Sequence, residues 1–560
     1  MTNPAPSNST TIAREIIAQL VRDGVRHVIL CPGSRSAPFA YALYDAEAAG
    51  VLNLHVETDE RVAGFVALGC GVAGELAAVV TTSGSAVANL HPAVEEAYYA
   101  GVPLIVISAD RPQELRGVRA NQTTDHRAVL AGSVRYFAEL PMDMPKRNRD
   151  GIIRRALRSA RGTGIGTVSG PVHLNVALRE PLMPSGPWET AVEDCRRVPE
   201  TKATGVATVA NNAFPRTVVV NGPSLLPAEL DSELFNYVPV LAEPSGILRA
   251  HPNAVPAHPL LLRTEIRADI DRVIVVGHPT LTRDITGLLS DSDVEVFFVD
   301  EAPTYTDVSG NAQVIAVEEL AAYLPGAGSL AADVWLKRWH AATDAVNSVL
   351  AAWTAEQDDV ICMSVAARAL SQLPGKTVVG ASSIIRDLNT YGVVPASPVH
   401  ANRGLAGIDG TISTGIGLAL ATGTPVRVLL GDLAFIHDAT ALIPTVLQAS
   451  IDLDVIVFDD AGGALFATLE YGDGDEDAFE RVFRTAKDFD VEAYARAVGV
   501  QYLAPKTVGE LVEVVENRGH GVRLIHVKLP PQTAGDERAA RAERAGRVVA
   551  AVRQALEAGS

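Results

Sequence analysis

The stretch IAREIIAQLVRDGVRHVILCPG, residues 12–33, sets the pattern for the whole chain. Ile12, Ile16, Ile17, Leu20 and Val21 recur at helical spacing, Gly24 punctuates the end, and the apolar run VRHVIL follows and stops at Cys31-Pro32-Gly33. That reads as a helix feeding a buried strand. The alternation continues with strand-like LNLHVE, helix-like RVAGFVALGCGVAG, strand AAVVTT, helix SAVANLHPAVEEAYYA and strand PLIVIS. Strands alternating with helices predict parallel sheets covered on both faces.

Two further blocks repeat the pattern. A polar, proline-bearing stretch, EPLMPSGPWETAVEDCRRVPETKATG, is the linker candidate after the first. TVVVNG opens the second block, with DRVIVVGHP and VEVFFVD as strands, and the helical LKRWHAATDAVNSVLAAWTAEQ leads into the third, whose strands are TVVGAS, PVRVLLGD, DVIVFDD and VRLIHVKLP. A chain of 560 residues exceeds what one core organises, and three units of roughly 180 fit the blocks. The boundaries read as 1–185, 200–340 and 355–560.

Composition narrows the function. Apolar residues make up 48% and charged ones 20%, a globular balance. The net charge of −19 argues against nucleic-acid or anionic-membrane partners, while leaving room for local basic pockets. Cys31, Cys70, Cys195 and Cys362 are far apart and form no C-x-x-C pair, so a reducing cytoplasm is expected. The start, MTNPAPSNSTT, lacks a signal-like pattern, and no apolar run is long enough to span a bilayer. Fingerprints for dinucleotide binding, the P-loop, the serine-hydrolase elbow and the zinc-protease helix are all missing.

Chemistry concentrates where strands end. Asp432 and Asp460 close VRVLLGD and DVIVFDD, on either side of the helix-like DATALIPTVLQAS, at the edge where open α/β sheets bind ligands. Adjacent strands would pair these carboxylates for a hard cation completed by phosphate oxygens, with Gly462 and Gly463 admitting the backbone. Acidic residues after strands also serve simply as helix caps. Glu60, in ETDER, is either a proton-sharing carboxylate for a bound heterocycle or a first-turn glutamate complementing the helix dipole. Arg35, Arg111, Arg386 and Arg403 all follow predicted strands, on what reads as one sheet edge, and suit a bidentate grip on carboxylates.

The segments LCPGSRSAP, DERVAGF, TTSGSAVANL, SADRPQEL, ANQT, NRGLAGIDGTIST, GDLAFIHD and AGGALF, with the 28-residue separation of Asp432 and Asp460, carry a family resemblance. Together they are similar to the 2-succinyl-5-enolpyruvyl-6-hydroxy-3-cyclohexene-1-carboxylate (SEPHCHC) synthases, thiamine-diphosphate enzymes of menaquinone biosynthesis. The resemblance implies an α/β fold of three doubly wound parallel-sheet domains: a pyrimidine-binding domain, a central domain without a dinucleotide and a diphosphate-binding domain. It implies thiamine diphosphate and Mg²⁺ (or Mn²⁺) as cofactors, 2-oxoglutarate and isochorismate as substrates, and a dimer or dimer of dimers with active sites between subunits.

Residue by residue, it assigns Glu60 to the cofactor's aminopyrimidine and Asp432, Asp460 and the Gly462 carbonyl to the metal. Ser83, Gly84, Ser382, Ser383, Gly431, Leu433 and Gly463 fall on cofactor-binding positions. Ser34, Arg35, Arg111, Asn121, Gln122, Arg403, Leu465 and Phe466 fall on the substrate pocket. The implied reaction is decarboxylation of 2-oxoglutarate and conjugate addition of the succinyl-semialdehyde carbanion to isochorismate. Another thiamine-diphosphate decarboxylase or carboligase, and a non-catalytic phosphate-binding module, are the rival readings. One departure stands out: this chain reads Asp459-Asp460-Ala461 where the family is asparagine-rich, and the extra carboxylate either tightens metal binding or hydrogen-bonds locally.

Overall fold

A computed structural model describes residues 8–162, 168–196, 215–223, 230–299, 312–356, 361–393, 397, 399–443, 450–530 and 533–558. Three sheets, every strand pairing parallel, organise these residues. The chain divides into two compact units.

The first unit draws on residues 1–203, 404–424 and 437–451. Its sheet comprises β1 (His27–Leu30), β2 (Asn53–Val56), β3 (Ala77–Thr81), β4 (Leu104–Asp110), β5 (Tyr136–Leu140) and β6 (Pro171–Ala177), in the order β2-β1-β3-β4-β6-β5. The opening helix, Ser9–Arg22, is capped by Asn8, whose side chain accepts from the Thr11 N–H at 2.8 Å. It buries Ile12, Ile16, Ile17 and Leu20 against the sheet, each stabilising by roughly 1.5–3 kcal/mol. The stretch expected as one helix over 85–100 is two, Ser85–Asn89 and His91–Ala100, because Pro92 can only sit in a first turn. β6 was not expected as a strand: His173 and Asn175 interrupt its apolar run, yet both are buried and hydrogen-bonded to the Ser108 hydroxyl at 2.7 Å.

One crossing in this unit bears on function. Helix Glu60–Val72 packs against helix Thr411–Thr422 through glycines on both sides. A Cβ on Gly69 would lie 2.2 Å from the Thr414 carbonyl, and one on Gly417 2.0 Å from that of Val66. The backbones therefore touch, which fixes the helix that begins at Glu60.

The second unit draws on residues 204–403, 425–436 and 452–560, and carries two sheets. The central one comprises β7 (Thr217–Asn221), β8 (Val240–Ala242), β9 (Arg272–Val276), β10 (Glu295–Val299) and β11 (Ala312–Ile315), in the order β11-β10-β9-β7-β8. The last comprises β12 (Lys376–Val379), β13 (Val399–His400), β14 (Val426–Gly431), β15 (Leu453–Asp459), β16 (Gln501–Leu503) and β17 (Val522–Lys528), in the order β13-β12-β14-β15-β17-β16. β13 and β16 are short edge strands with little apolar run to betray them. Of the helix expected over 438–450, Ala439–Leu442 forms a 3₁₀ turn, and residues 444–449 lie outside the described residues, as does the linker stretch from 197 onward.

In each sheet the strand order reverses between two neighbours: β1 and β3, β7 and β9, β12 and β14. Ligands of open α/β sheets bind beyond the carboxyl ends of such strands.

Candidate active site

β14 and β15 are adjacent and parallel, Gly431 opposite Phe458, so the segments carrying Asp432 and Asp460 leave the sheet side by side. Ser382 and Ser383 follow β12, on the other side of the reversal. Ser383 opens helix Ser383–Tyr391, whose N-terminus suits a phosphate. Asp432 is buried, and its Oδ1 accepts from the Leu433 N–H at 2.8 Å. Burial raises its carboxyl to about 6, with the Asp459 charge adding and hydrogen bonds from the Leu433 and Gly462 backbone opposing. Burial raises Asp460 further, to about 8, with the charges of Asp432 and Glu537 adding and Arg484 opposing. Asp460 lines a cavity of about 80 Å³ with Ser364, Arg484, Glu537 and Arg541 among its neighbours.

These residues fit a divalent cation. Two neighbouring carboxylates, Asp432 buried and Asp460 half-buried, that hold their protons so tightly lack sufficient positive charge. No group of three or more His, Cys, Asp or Glu is placed to hold a metal among the described residues, so a cation here needs oxygens from a ligand, as Mg²⁺ beside a diphosphate does. Gly462 has φ +122°, and a Cβ there would meet the Arg484 carbonyl at 2.2 Å, so only glycine brings this backbone in. Its carbonyl accepts from the Ala464 N–H at 3.0 Å. Gly463 closes the turn by donating to the Arg484 carbonyl at 2.7 Å, and the Phe466 ring packs tilted against Phe483, centroids 5.7 Å apart. Leu465, Phe466, Gly431 and Leu433 are half-buried around the turn.

Asp459 answers the question raised by the acidic pair. One of its oxygens meets His526 Nε2 at 2.8 Å and the other accepts from the Ala461 N–H at 3.1 Å. The His526 hydrogen bond is the main reason its carboxyl stays below the usual range. The extra carboxylate is a local turn-former, while Asp460 carries the raised proton affinity.

In the first unit Glu60 begins its helix, with Asp59 as the N-cap. It is half-buried and lines an open cleft with Thr58, Asp59, Arg61, Asn89 and Pro92, its Oε2 accepting from Asn89 Nδ2 at 3.0 Å. The first-turn placement is thus real, and so is the access to a ligand.

Arg35 follows β1, Ser83 and Gly84 follow β3, and Arg111 follows β4. Arg35 is buried, donating to the Leu178 carbonyl at 2.9 Å, and burial followed by the nearby Arg111 charge lowers its pKa. Arg111 donates to the Ser83 hydroxyl. Gln122 holds φ +55°, donates to the Ser83 carbonyl at 2.9 Å and accepts from the Ser83 hydroxyl at 3.0 Å. Ser34 and Asn121 are exposed beside them. Behind this group, His126 Nε2 accepts from the Gly84 N–H at 3.1 Å, and its Nδ1 meets the Asn175 side chain at 2.9 Å. Nε2 is therefore the bare nitrogen of the ring. No motif singled out His126.

Arg386 and Arg403 belong to the second unit, Arg386 on helix Ser383–Tyr391 and Arg403 after β13. The four arginines therefore serve two sheets, not one edge, because the blocks fold separately.

The comparisons with known proteins follow this division. Residues 10–129 match the thiamine pyrophosphate enzyme N-terminal TPP binding domain, and residues 381–527 the C-terminal TPP binding domain. A SEPHCHC synthase from Kineococcus radiotolerans is 43% identical, over 98% of this chain and 99% of the relative. Those from Nocardioides sp. and Arthrobacter sp. are 39% and 38% identical, over 93% and 99% of this chain and 95% and 94% of theirs. The chain belongs to the SEPHCHC synthase family. It is a thiamine-diphosphate-dependent transferase of menaquinone biosynthesis. The matched domains contain the two carboxylate regions, Glu60 in the first and Asp432 and Asp460 in the second. No described helix is long and apolar enough to cross a membrane.

Proposed function

We propose that the chain decarboxylates 2-oxoglutarate and adds the resulting succinyl-semialdehyde carbanion to isochorismate in a conjugate sense. The observation that carries this reading is that adjacent parallel strands bring Asp432 and Asp460 to one sheet edge, while Arg35 and Arg111 follow strands of one sheet and Arg403 a strand of another. When bound, thiamine diphosphate supplies the electron sink for the carbanion. Asp432, Asp460 and Gly462 hold a Mg²⁺ or Mn²⁺ ion and, with Ser382, Ser383, Gly431, Leu433 and Gly463, the diphosphate. Glu60 shares a proton with the aminopyrimidine ring, Ser83 and Gly84 lining its surroundings. Ser34, Arg35, Arg111, Asn121, Gln122 and Arg403 line the substrate pocket, the arginines meeting carboxylates, and Leu465 and Phe466 form an apolar wall that excludes water and favours addition over protonation.

Glu60 in an open cleft supports self-association, in which the Glu60 half of one copy meets the diphosphate half of another. The domains read as 1–185, 200–340 and 355–560 for pyrimidine, central and diphosphate roles. Four free thiols suit a reducing cytoplasm.

The test is CO₂ release from 2-oxoglutarate by purified protein with Mg²⁺ and thiamine diphosphate, following isochorismate absorbance in parallel. Consumption of isochorismate in step with CO₂ is expected. CO₂ appearing equally without isochorismate identifies a decarboxylase or a carboligase with another acceptor.

A further inference from the structure

The central sheet carries none of the residues assigned to the cofactors and lies between the two regions that match thiamine pyrophosphate enzyme domains. Yet the carboxyl ends of its strands are built around one buried acid. Glu243 follows β8 and is 1% exposed. Its Oε1 accepts from two successive backbone N–H groups, those of Thr280 and Leu281, each at 2.7 Å, in the turn beyond β9. The Thr280 hydroxyl in turn accepts from Arg403, at 3.2 Å from Nε and 2.6 Å from Nη2. Arg403 is itself 6% exposed and follows β13, at the edge of a different sheet. All of these residues lie in one compact unit.

The geometry points to Glu243 and Thr280 as positioning residues for Arg403: the central domain's contribution to the reaction is to hold the substrate-gripping guanidinium in place. A backbone turn clamped at both N–H groups by one carboxylate oxygen has little freedom, so the hydroxyl it presents is a fixed acceptor for the guanidinium. The fork of Arg403 is gripped along its Nε–Nη2 edge.

The acid is a costly choice for a purely architectural role. A neutral amide would satisfy the same two N–H groups without desolvating a charge. Glu243 Oε2 is buried without a hydrogen-bond partner among the described residues. What the carboxylate adds is charge near two cations: Arg403 and Arg386 both act on Glu243, and Arg403 in turn repels Arg386. Burial pushes Glu243 up to about 7, with the Leu281 and Thr280 N–H groups and then the two arginines pulling the other way. An anion at this place lets two guanidinium groups stay close before any substrate carboxylate arrives.

This inference rests on Arg403 meeting substrate, and a double-mutant cycle separates the two claims. Thr280 is exposed on its turn, and Thr280→Val keeps the side chain's shape while removing the hydroxyl that Arg403 meets. It is expected to raise the KM of one of the two carboxylate substrates about tenfold, a change that corresponds to one misplaced hydrogen bond. Thiamine diphosphate affinity and thermal midpoint should stay within error. In an Arg403→Ala background the same Thr280→Val change should be silent. Glu243→Ala should mimic Thr280→Val, and Glu243→Gln, which keeps an oxygen for the two N–H groups but removes the charge beside Arg403 and Arg386, should recover only part of the loss. If Thr280→Val is without effect in the native background, or costs the same with and without Arg403, the positioning role is wrong. If Arg403→Ala itself leaves kcat/KM unchanged, the substrate reading of Arg403 fails first.

Discussion

Asp460 and Glu60 are both half-buried but sit in different surroundings. Asp460 follows β15 and lines a small cavity of its own unit, its carboxyl raised to about 8 by desolvation and by the charges of Asp432 and Glu537. Glu60 lies half-buried in an open cleft with a single amide partner, Asn89. In the first region neighbouring carboxylates crowd one another in a small cavity; the second is held by the glycine contact of its helix and opens to a wider cleft. The difference teaches that one needs a cation and the other needs a cover. On the proposed role of Glu60, a carboxylate that shares a proton with a ring needs a dry site, which predicts that a second copy closes over it.

The largest expected effect breaks the Glu60 side. Glu60→Gln keeps size and the Asn89 contact but removes the shared proton, so kcat should fall by about 10²–10⁴ with the melting curve unchanged. A near-native rate removes Glu60 from the chemistry. On the other side, Asp460→Asn should weaken Mg²⁺ binding, measured by titration in the presence of thiamine diphosphate, by about ten- to a hundredfold.

The pH dependence of that titration sharpens the contrast. Asp432 and Asp460 are raised from the usual carboxylate range to about 6 and about 8, so below pH 6 both carry protons and between the two values Asp460 still does. A cation must displace those protons, so its apparent affinity should climb from pH 6 to pH 8, by at most about tenfold per unit for each proton displaced. A flat profile contradicts the raised values. Gly417→Ala should destabilise by about 1–3 kcal/mol in urea melts, since the new Cβ meets the Val66 carbonyl, and should lower kcat by shifting the helix of Glu60. The smallest effect belongs to Asp459→Asn. With His526 and Ala461 as its partners, Asp459 should leave Mg²⁺ affinity within about threefold of native.

Much of this was legible beforehand. Repeated α and β runs announced three parallel sheets, because buried parallel strands must be continuously apolar. Strand ends located Asp432, Asp460, Arg35 and Arg111, since topology brings ligand groups to that edge. What stayed hidden depends on contacts distant in sequence. β6 hid behind His173 and Asn175, whose polarity is satisfied only by Ser108 on the neighbouring strand. Asp459 and Asp460 are indistinguishable as letters and differ only in that His526 reaches one of them. Glu243 ends a strand as Asp432 does, but its meaning comes from Thr280 and Arg403, 37 and 160 residues away (280 − 243; 403 − 243). Arg386 and Arg403 seemed to share an edge with Arg35 and Arg111 because placement along a strand says nothing about which sheet the strand joins.

The most direct measurement mixes two variants, Glu60→Gln and Asp460→Asn, after dissociation and reassociation, and assays isochorismate consumption at a Mg²⁺ concentration that loads the native site but not the Asp460→Asn site. In a mixed dimer one site then draws intact Glu60 from one copy and intact Asp460 from the other, and with random pairing about a quarter of native activity should return. A mixture as inactive as its components would contradict a site completed between copies and place both carboxylates in the service of a single chain.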